Sequence, residues 1–505
     1  MSIPSTCSIS NIPLFDLIED DDEVDSLARQ LDEQPHLINV RDEVAQTLLI
    51  AAAQSGCLQI IKELIKRNPL DINETDQDET TALIAAAREN HEECAVELFK
   101  NGADVTLTDK DGWGAVTWAA YRGHAQVVKH LLEWDANPNE AGQHGMNPVI
   151  WAAGRGHTAV VEELLNAGAN PDSCDKYGTS ALVWAARKGH VDVVKALLDK
   201  QADVNKPGSN GWTPLIMAVK GEYEQAVTVL LERGADVNYL DQNNNSALIW
   251  AVTQGHTGIV RKLTNHGAFI NIRNKEGLPI LVMACKDGHV EIVRILLEHY
   301  ADIEAGDLGG KTALWYAVEK DHTAVVKELL EFGAFTGSQR KDGETPLLLA
   351  VKKRHTEITS LLLEKNADLS VSNKKGDTAL HIAVRSRYRR ITEIILKDPR
   401  SARLLYQTNR AGETPYRIDQ RHKKSILRPV LGMAEDDKRH TEELLGHNVY
   451  ATSLAELLCE PSLELPLTVG VYSRWGSSKV HFFKRLQQEM QEITQQTIHP
   501  RLRFS

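Results

Sequence analysis

Between residues 175 and 205 the apolar positions fall into two short helical patterns separated by a polar break. Leu182, Ala185 and Ala186 share one face of the first pattern. Val191, Val193, Val194, Leu197 and Leu198 form the apolar face of the second, and Gly189-His190 divides the two. The hydroxyl of Ser180 can cap the first helix, and Gly178 stands where a tight turn needs a positive φ. Aligned on Ser180, the same pattern begins at Thr47, Thr81, Gly114, Asn147, Thr213, Ser246, Pro279, Thr312, Thr345 and Thr378. The spacing is 34 residues once and 33 nine times; a further start at Thr414 follows after 36. Glycine recurs in the Gly178 slot at 112, 145, 211, 277, 310, 343, 376 and 412, with Asn244 replacing it once. One such unit cannot bury its apolar face alone, so the period predicts a stacked array. Each buried Leu or Val contributes roughly 1.5–3 kcal/mol gross, before chain entropy is subtracted.

The spacing, the turn glycine, the T-P-L-x-x-A run at Thr213–Ala218 and the helix–turn–helix pattern resemble the ankyrin repeat. The expected fold class is all-α: an ankyrin-repeat solenoid of about eleven full repeats plus caps, followed by a short truncated α/β P-loop-like segment. The expected domains are an N-terminal cap at 1–40, repeats at 41–400 and a C-terminal cap at 401–432. A polar linker at 433–449 and the P-loop-like segment at 450–505 follow, with a strand at Leu467–Tyr472 and a helix over Val480–Gln496. The acidic run Glu19–Glu23 reads as a solvated face of the first cap.

Charge and cysteine usage narrow the function. The 505 residues carry a net charge of −13, which argues against a globally basic nucleic-acid binder. Six scattered cysteines with no C-x-x-C read as reduced intracellular thiols. No secretory signal and no run of 18 apolar residues is present, so a cytoplasmic chain without a membrane span is expected. Eight histidines (91, 124, 157, 190, 256, 289, 322, 355) hold one repeat slot. Successive copies stand roughly a nanometre apart in a stack, too far to share a metal ion. They read instead as helix-end histidines bonding to neighbouring loop backbone. No metal, cofactor or catalytic residue is expected.

Three columns are candidates for binding. Trp118, Trp151, Trp184 and Trp250, with Tyr316 in the same slot, lie toward the concave side expected of such a stack. They are either interface anchors or rings that pack on one another and stiffen the array. Seven or eight residues after each start come Arg88, Arg122, Arg155, Arg187, Lys188, Lys220, Lys286, Lys320, Lys352, Lys353 and Arg385. A basic lining in an acidic protein suggests acidic or phosphorylated peptide partners; the alternative is ordinary solvated helix charge. Trp113, Met146, Trp212 and Leu278 hold a turn-tip position that is elsewhere polar, which points to partner contact.

The loop Ser473–Val480 has the layout of a phosphate-binding P-loop, strand–loop–lysine–helix. Its residues Gly476, Ser478 and Lys479 make a degenerate version of G-x-x-x-x-G-K-[ST]. Ser478 stands at the second glycine, and Val480 has no hydroxyl for Mg²⁺. Lys479 alone could attract phosphate, so a nucleotide-binding fragment is the alternative class. The stretches IWAAGRGH (150–157), DKYGTSALVWAARKGH (175–190), KKGDTALHIAVR (374–385), AGETPYRID (411–419), KSIL (424–427) and GVYSRWGSSK (470–479) together resemble one family. It is the family of ankyrin-repeat scaffolds that carry a KAP-type P-loop NTPase domain interrupted by transmembrane helices. That resemblance implies a non-enzymatic scaffold at the plasma membrane and endosomes, working with receptor and adaptor proteins in neurotrophin-type and MAP-kinase signalling. The sequence stops about where the family's first membrane helix begins. A soluble short form that regulates the membrane-spanning long form is therefore a further expectation.

Overall fold

In the computed structural model the described residues run from 24 to 430, apart from 68–69, 143, 341–342 and 423. Positions 14–15, 18, 451, 454–455, 483 and 486–491 are described besides. Among them all regular structure is helical, with isolated β-bridges at the turns and no strand. The described residues are all-α and fall into two compact units, residues 1–269 and 270–505, each built of stacked helical repeats.

Each repeat is two antiparallel helices after a tight turn. In the repeat around Ser180 the helices are Ala181–Lys188 and Val191–Asp199. Ser180 Oγ accepts the N–H of Val183, closing the first turn as a cap. Thr47, Thr81, Asn147, Thr213, Ser246, Thr345 and Thr414 cap their helices in the same way. Gly114 and Pro279 have no side-chain oxygen to offer and make no such bond. The turn glycine slot is left-handed throughout, from φ 58° at Asn244 to 80° at Gly310. Leu182, Ala185, Ala186, Val193, Val194 and Leu197 are buried between the helices. Val191 is only half-buried.

The loops are stitched by short polar side chains reaching one repeat forward. Asn139, Asp172, Asn205 and Asn238 each accept a backbone N–H 31 residues later, at 2.7–2.9 Å. In the second unit Asn271 and Glu304 repeat the device. A lone helix, Val24–Glu33, precedes the first pair and buries Leu27 and Leu31. At the other end of the array come the helices Pro415–Gln420 and Leu427–Val430. There the buried Asp419 carboxylate accepts the N–H groups of Ile426 and Leu427.

The histidine slot forms a second ladder. His91, His124, His157 and His190 place Nε2 3.0–3.3 Å from the carbonyl oxygens of Gln54, Arg88, Tyr121 and Gly154 in the preceding repeat. Donation of an Nε2–H to those carbonyls fixes each ring at a helix end. Burial holds His124 and His157 below the ordinary imidazole pKa. The unfolded chain therefore takes up protons first, and stability is lost as pH falls below about 6.5. Urea unfolding of the whole chain should show lower stability at pH 5.5 than at pH 7.5. His157→Gln should reduce the difference; an unchanged pH profile in that variant would contradict the assignment.

Candidate functional site: an aromatic and cationic face of residues 109–250

The tryptophan column is tied down by the turn that precedes it. Asp109 Oδ1 accepts the N–H groups of Asp111 and Trp113, at 3.0 and 2.8 Å, which shapes the turn. Its other oxygen accepts Trp118 Nε1–H at 2.8 Å. Asp175 does the same for Tyr177, Thr179 and Trp184, and Asp241 for Asn243, Asn245 and Trp250. In the second unit Asp307 holds Tyr316 OH at 2.8 Å. Burial and that neighbouring carboxylate push the phenol up to about 12. The partner aspartate always stands nine residues before the ring. This spacing is visible in the sequence, and the sequence reading passed over it.

Trp151 is the exception, because Gly142 occupies the aspartate slot. Its buried indole N–H finds no acceptor among the described residues. Trp113 fills the space instead: a Cβ on residue 142 would sit 2.8 Å from Trp113 Cδ1. The Trp113 ring lies 4.7 Å from Trp118, 5.4 Å from Tyr121 and 4.8 Å from Trp151, centroid to centroid. Arg155 lies 4.0 Å over the Tyr121 ring and donates to its hydroxyl. The tip tryptophan is thus half-buried on its neighbours.

The basic column divides into engaged and open members. Lys220 is sandwiched between Trp212 and Trp250, 4.0 and 3.8 Å from their centroids. Burial there lowers its pKa from the ordinary lysine value. Arg88 covers Trp118 and pairs with Glu89; Arg187 lies 5.2 Å from the Trp184 centroid. Arg122, Arg155, Arg187 and Lys188 are exposed, and among the described residues no carboxylate pairs with them. The second unit differs. There Arg385 holds Asp377 and Lys352 holds Glu344, while Lys286, Lys320 and Lys353 are exposed. Met146 and Leu278, the other two apolar tips, are half-buried.

Between the rings of Trp151 and Trp184 the face opens into a cavity of about 580 Å³. Met146 and Ile150 line it, Gly154 forms part of its floor, and Arg155, Lys176 and Lys188 stand around it. Its one acid, Asp175, is buried and already accepts three hydrogen bonds. Among the described residues no cluster of His, Cys, Asp and Glu could hold a metal ion, and no helix is long and apolar enough to cross a membrane. Gly476, Ser478 and Lys479, with the strand expected at Leu467–Tyr472, lie outside the described residues.

The family model for ankyrin repeats matches residues 19–109, 48–142, 116–208, 201–274, 269–339 and 324–404, which together cover most of the chain. The model of the KAP family P-loop domain matches residues 447–500. The chain is also similar to the kinase D-interacting substrate of 220 kDa from Homo sapiens, 46% identical over 111 residues. The Rattus norvegicus protein of that name is 45% identical over 111 residues. Each match covers 22% of this chain and 6% of the relative's own length.

Proposed function

The chain belongs to the ankyrin-repeat family, and we propose on that basis that it is a protein-interaction scaffold, with acidic or phosphorylated partner segments bound along the aromatic–cationic face of residues 109–250. The observation that carries this reading is the strip of Arg122, Arg155, Arg187 and Lys188. These are exposed, and among the described residues no carboxylate pairs with them, in a chain whose net charge is −13. An unneutralised cationic strip beside rigid indoles offers long-range steering and a place for anchoring contacts. No chemistry is required: the rings and charges position a segment and release it unchanged.

The relatives' name describes a kinase D-interacting protein. By extension, a kinase and the receptor and adaptor proteins of neurotrophin-type signalling are the partners we assign to this chain, with membrane association through them. The division into caps, repeats, linker and P-loop segment at 40, 400, 432 and 449 belongs to the same proposal. So does the non-enzymatic reading of residues 450–505, where Ser478 and Val480 replace the glycine and hydroxyl of a nucleotide site.

The test is binding of labelled acidic and phosphorylated peptides to the whole chain and to the triple variant Arg155→Glu, Arg187→Glu, Lys188→Glu. Lys220 is left unchanged because it is sandwiched between two indoles. Affinity should fall at least about tenfold in the variant, and in the wild type it should fall with added salt. Both proteins should melt at the same temperature. Equal affinity in both would remove the cationic strip from the function.

A further inference from the structure

Gly154 is a glycine that the fold does not ask for. It lies inside the helix Pro148–Arg155, where glycine is less favourable than alanine by roughly 0.5–1 kcal/mol. Its φ is not positive, so no left-handed turn demands it. A Cβ built on it would meet only Trp184 Cβ, at 3.9 Å, which is ordinary contact. Gly142 and Gly156 are different: side chains of neighbouring repeats press on them at 2.8 and 2.6 Å. In the adjacent repeats the slot of Gly154 holds Tyr121, Arg187 and Lys220, all large. The absence of any side chain here leaves open the cavity between Trp151 and Trp184.

We infer that this cavity is an anchor pocket for one bulky aromatic side chain of a partner protein, presented by an acidic segment. The proposal rests on the scaffold reading above and names the feature of the partner that this face selects. The volume, about 580 Å³, falls within the range of roughly 300–1,000 Å³ usual for small-ligand sites. It suits one large side chain with its adjoining backbone rather than a whole helix. Trp151 and Trp184 line it together with Met146 and Ile150, an apolar and aromatic lining that favours an aromatic ring. Arg155 and Lys188 also line it, and among the described residues no carboxylate pairs with either, so acidic residues flanking the anchor meet unneutralised charge. Asp175 does not oppose them, since its carboxylate is buried and saturated with donors from its own repeat.

Gly154→Tyr tests the pocket without changing charge. Tyr121 stands edge-on to Trp118 of its own repeat and Trp151 of the next; by the same register the new ring stands between Trp151 and Trp184. Binding to the whole chain would be measured for two fluorescent peptides, an acidic twelve-residue peptide with a central tryptophan and the same peptide with alanine there. The wild type should bind the tryptophan peptide at least about tenfold more tightly. Gly154→Tyr should abolish that preference while keeping the weaker affinity for the alanine peptide and at least wild-type thermal stability. If the wild type binds both peptides equally, and both are lost in the Glu triple variant, the pocket inference fails while the cationic face stands. If neither peptide binds the wild type, both readings fail. If Gly154→Tyr retains the preference, the anchor lies elsewhere on the face and the pocket is overturned.

Discussion

Replacing Asp109 by alanine should destabilise the 1–269 unit by about 3 kcal/mol, one of the two largest effects expected of a single polar or glycine substitution on this face. The carboxylate accepts three hydrogen bonds, two from the backbone of its own turn and one from Trp118. Bonds to a charged acceptor contribute roughly 1.5–3 kcal/mol each when lost with a buried donor, and less where water can replace them. The turn amides regain some water, so the full sum is not expected. Asp109→Asn separates the two jobs. Its carbonyl oxygen can still serve the turn, but its amide nitrogen faces the indole N–H as a second donor. The loss should be about half that of alanine. Part of the array follows the same logic; at 42 and 76 the aspartate serves the turn alone, because Ala51 and Ala85 hold the column position. Asparagine holds this slot at 274 and 373, where the column residues are Met283 and Ile382 and offer no N–H. Aspartate holds it at 109, 175, 241 and 307, where the ring carries a donor. Urea unfolding followed by tryptophan fluorescence checks both variants, and equal losses for Ala and Asn would contradict the double role.

Gly156→Ala should cost about 2–3 kcal/mol, whereas Gly168→Ala should cost only about 1 kcal/mol. Both glycines are left-handed, at φ 83° and 88°. That alone penalises an L side chain by roughly 1 kcal/mol. At Gly168 nothing lies within 4 Å of the new methyl. At Gly156 the methyl would fall 2.6 Å from His190 Nδ1, and the ring must move off the Gly154 carbonyl that it bonds at 3.3 Å. The lost bond and displaced ring add the difference, roughly 0.5–1.5 kcal/mol for the hydrogen bond itself. The comparison is made by urea unfolding of the two variants side by side. Equal losses would mean that the histidine ladder adds nothing beyond backbone strain.

These two cases also show where the sequence was legible. The period and the cap at Ser180 were plain, because they depend on local chemistry repeated in register. The turn glycines were plain for the same reason. The helix-end glycines were not separable, since Gly156 and Gly168 look alike until the next repeat's His190 is placed against one of them. The tryptophan column was readable as a column. Whether its rings pack or project depends on partners nine residues earlier and one repeat away, and Gly142 in the aspartate slot changes the answer for Trp151 alone. The basic column looked uniform in sequence. In space Lys220 is enclosed by two indoles and Arg385 by carboxylates, Arg155 lies over Tyr121, and Lys188 is exposed. Gly154 carried no local signal, because its meaning lies in the large residues that neighbouring repeats put in the same slot.

Partners that bind on the turn tips and first helices of residues 109–250 should leave their footprint in amide hydrogen exchange. Amide exchange would be followed on the whole chain, free and saturated with the acidic tryptophan peptide. Exchange should slow at the turns around Asp109, Gly142 and Asp175 and along Pro148–Arg155 and Ala181–Lys188, with the second helices Thr158–Asn166 and Val191–Asp199 unchanged. Slowing confined to those second helices or to residues 270–430, or no slowing anywhere, would contradict binding on that face.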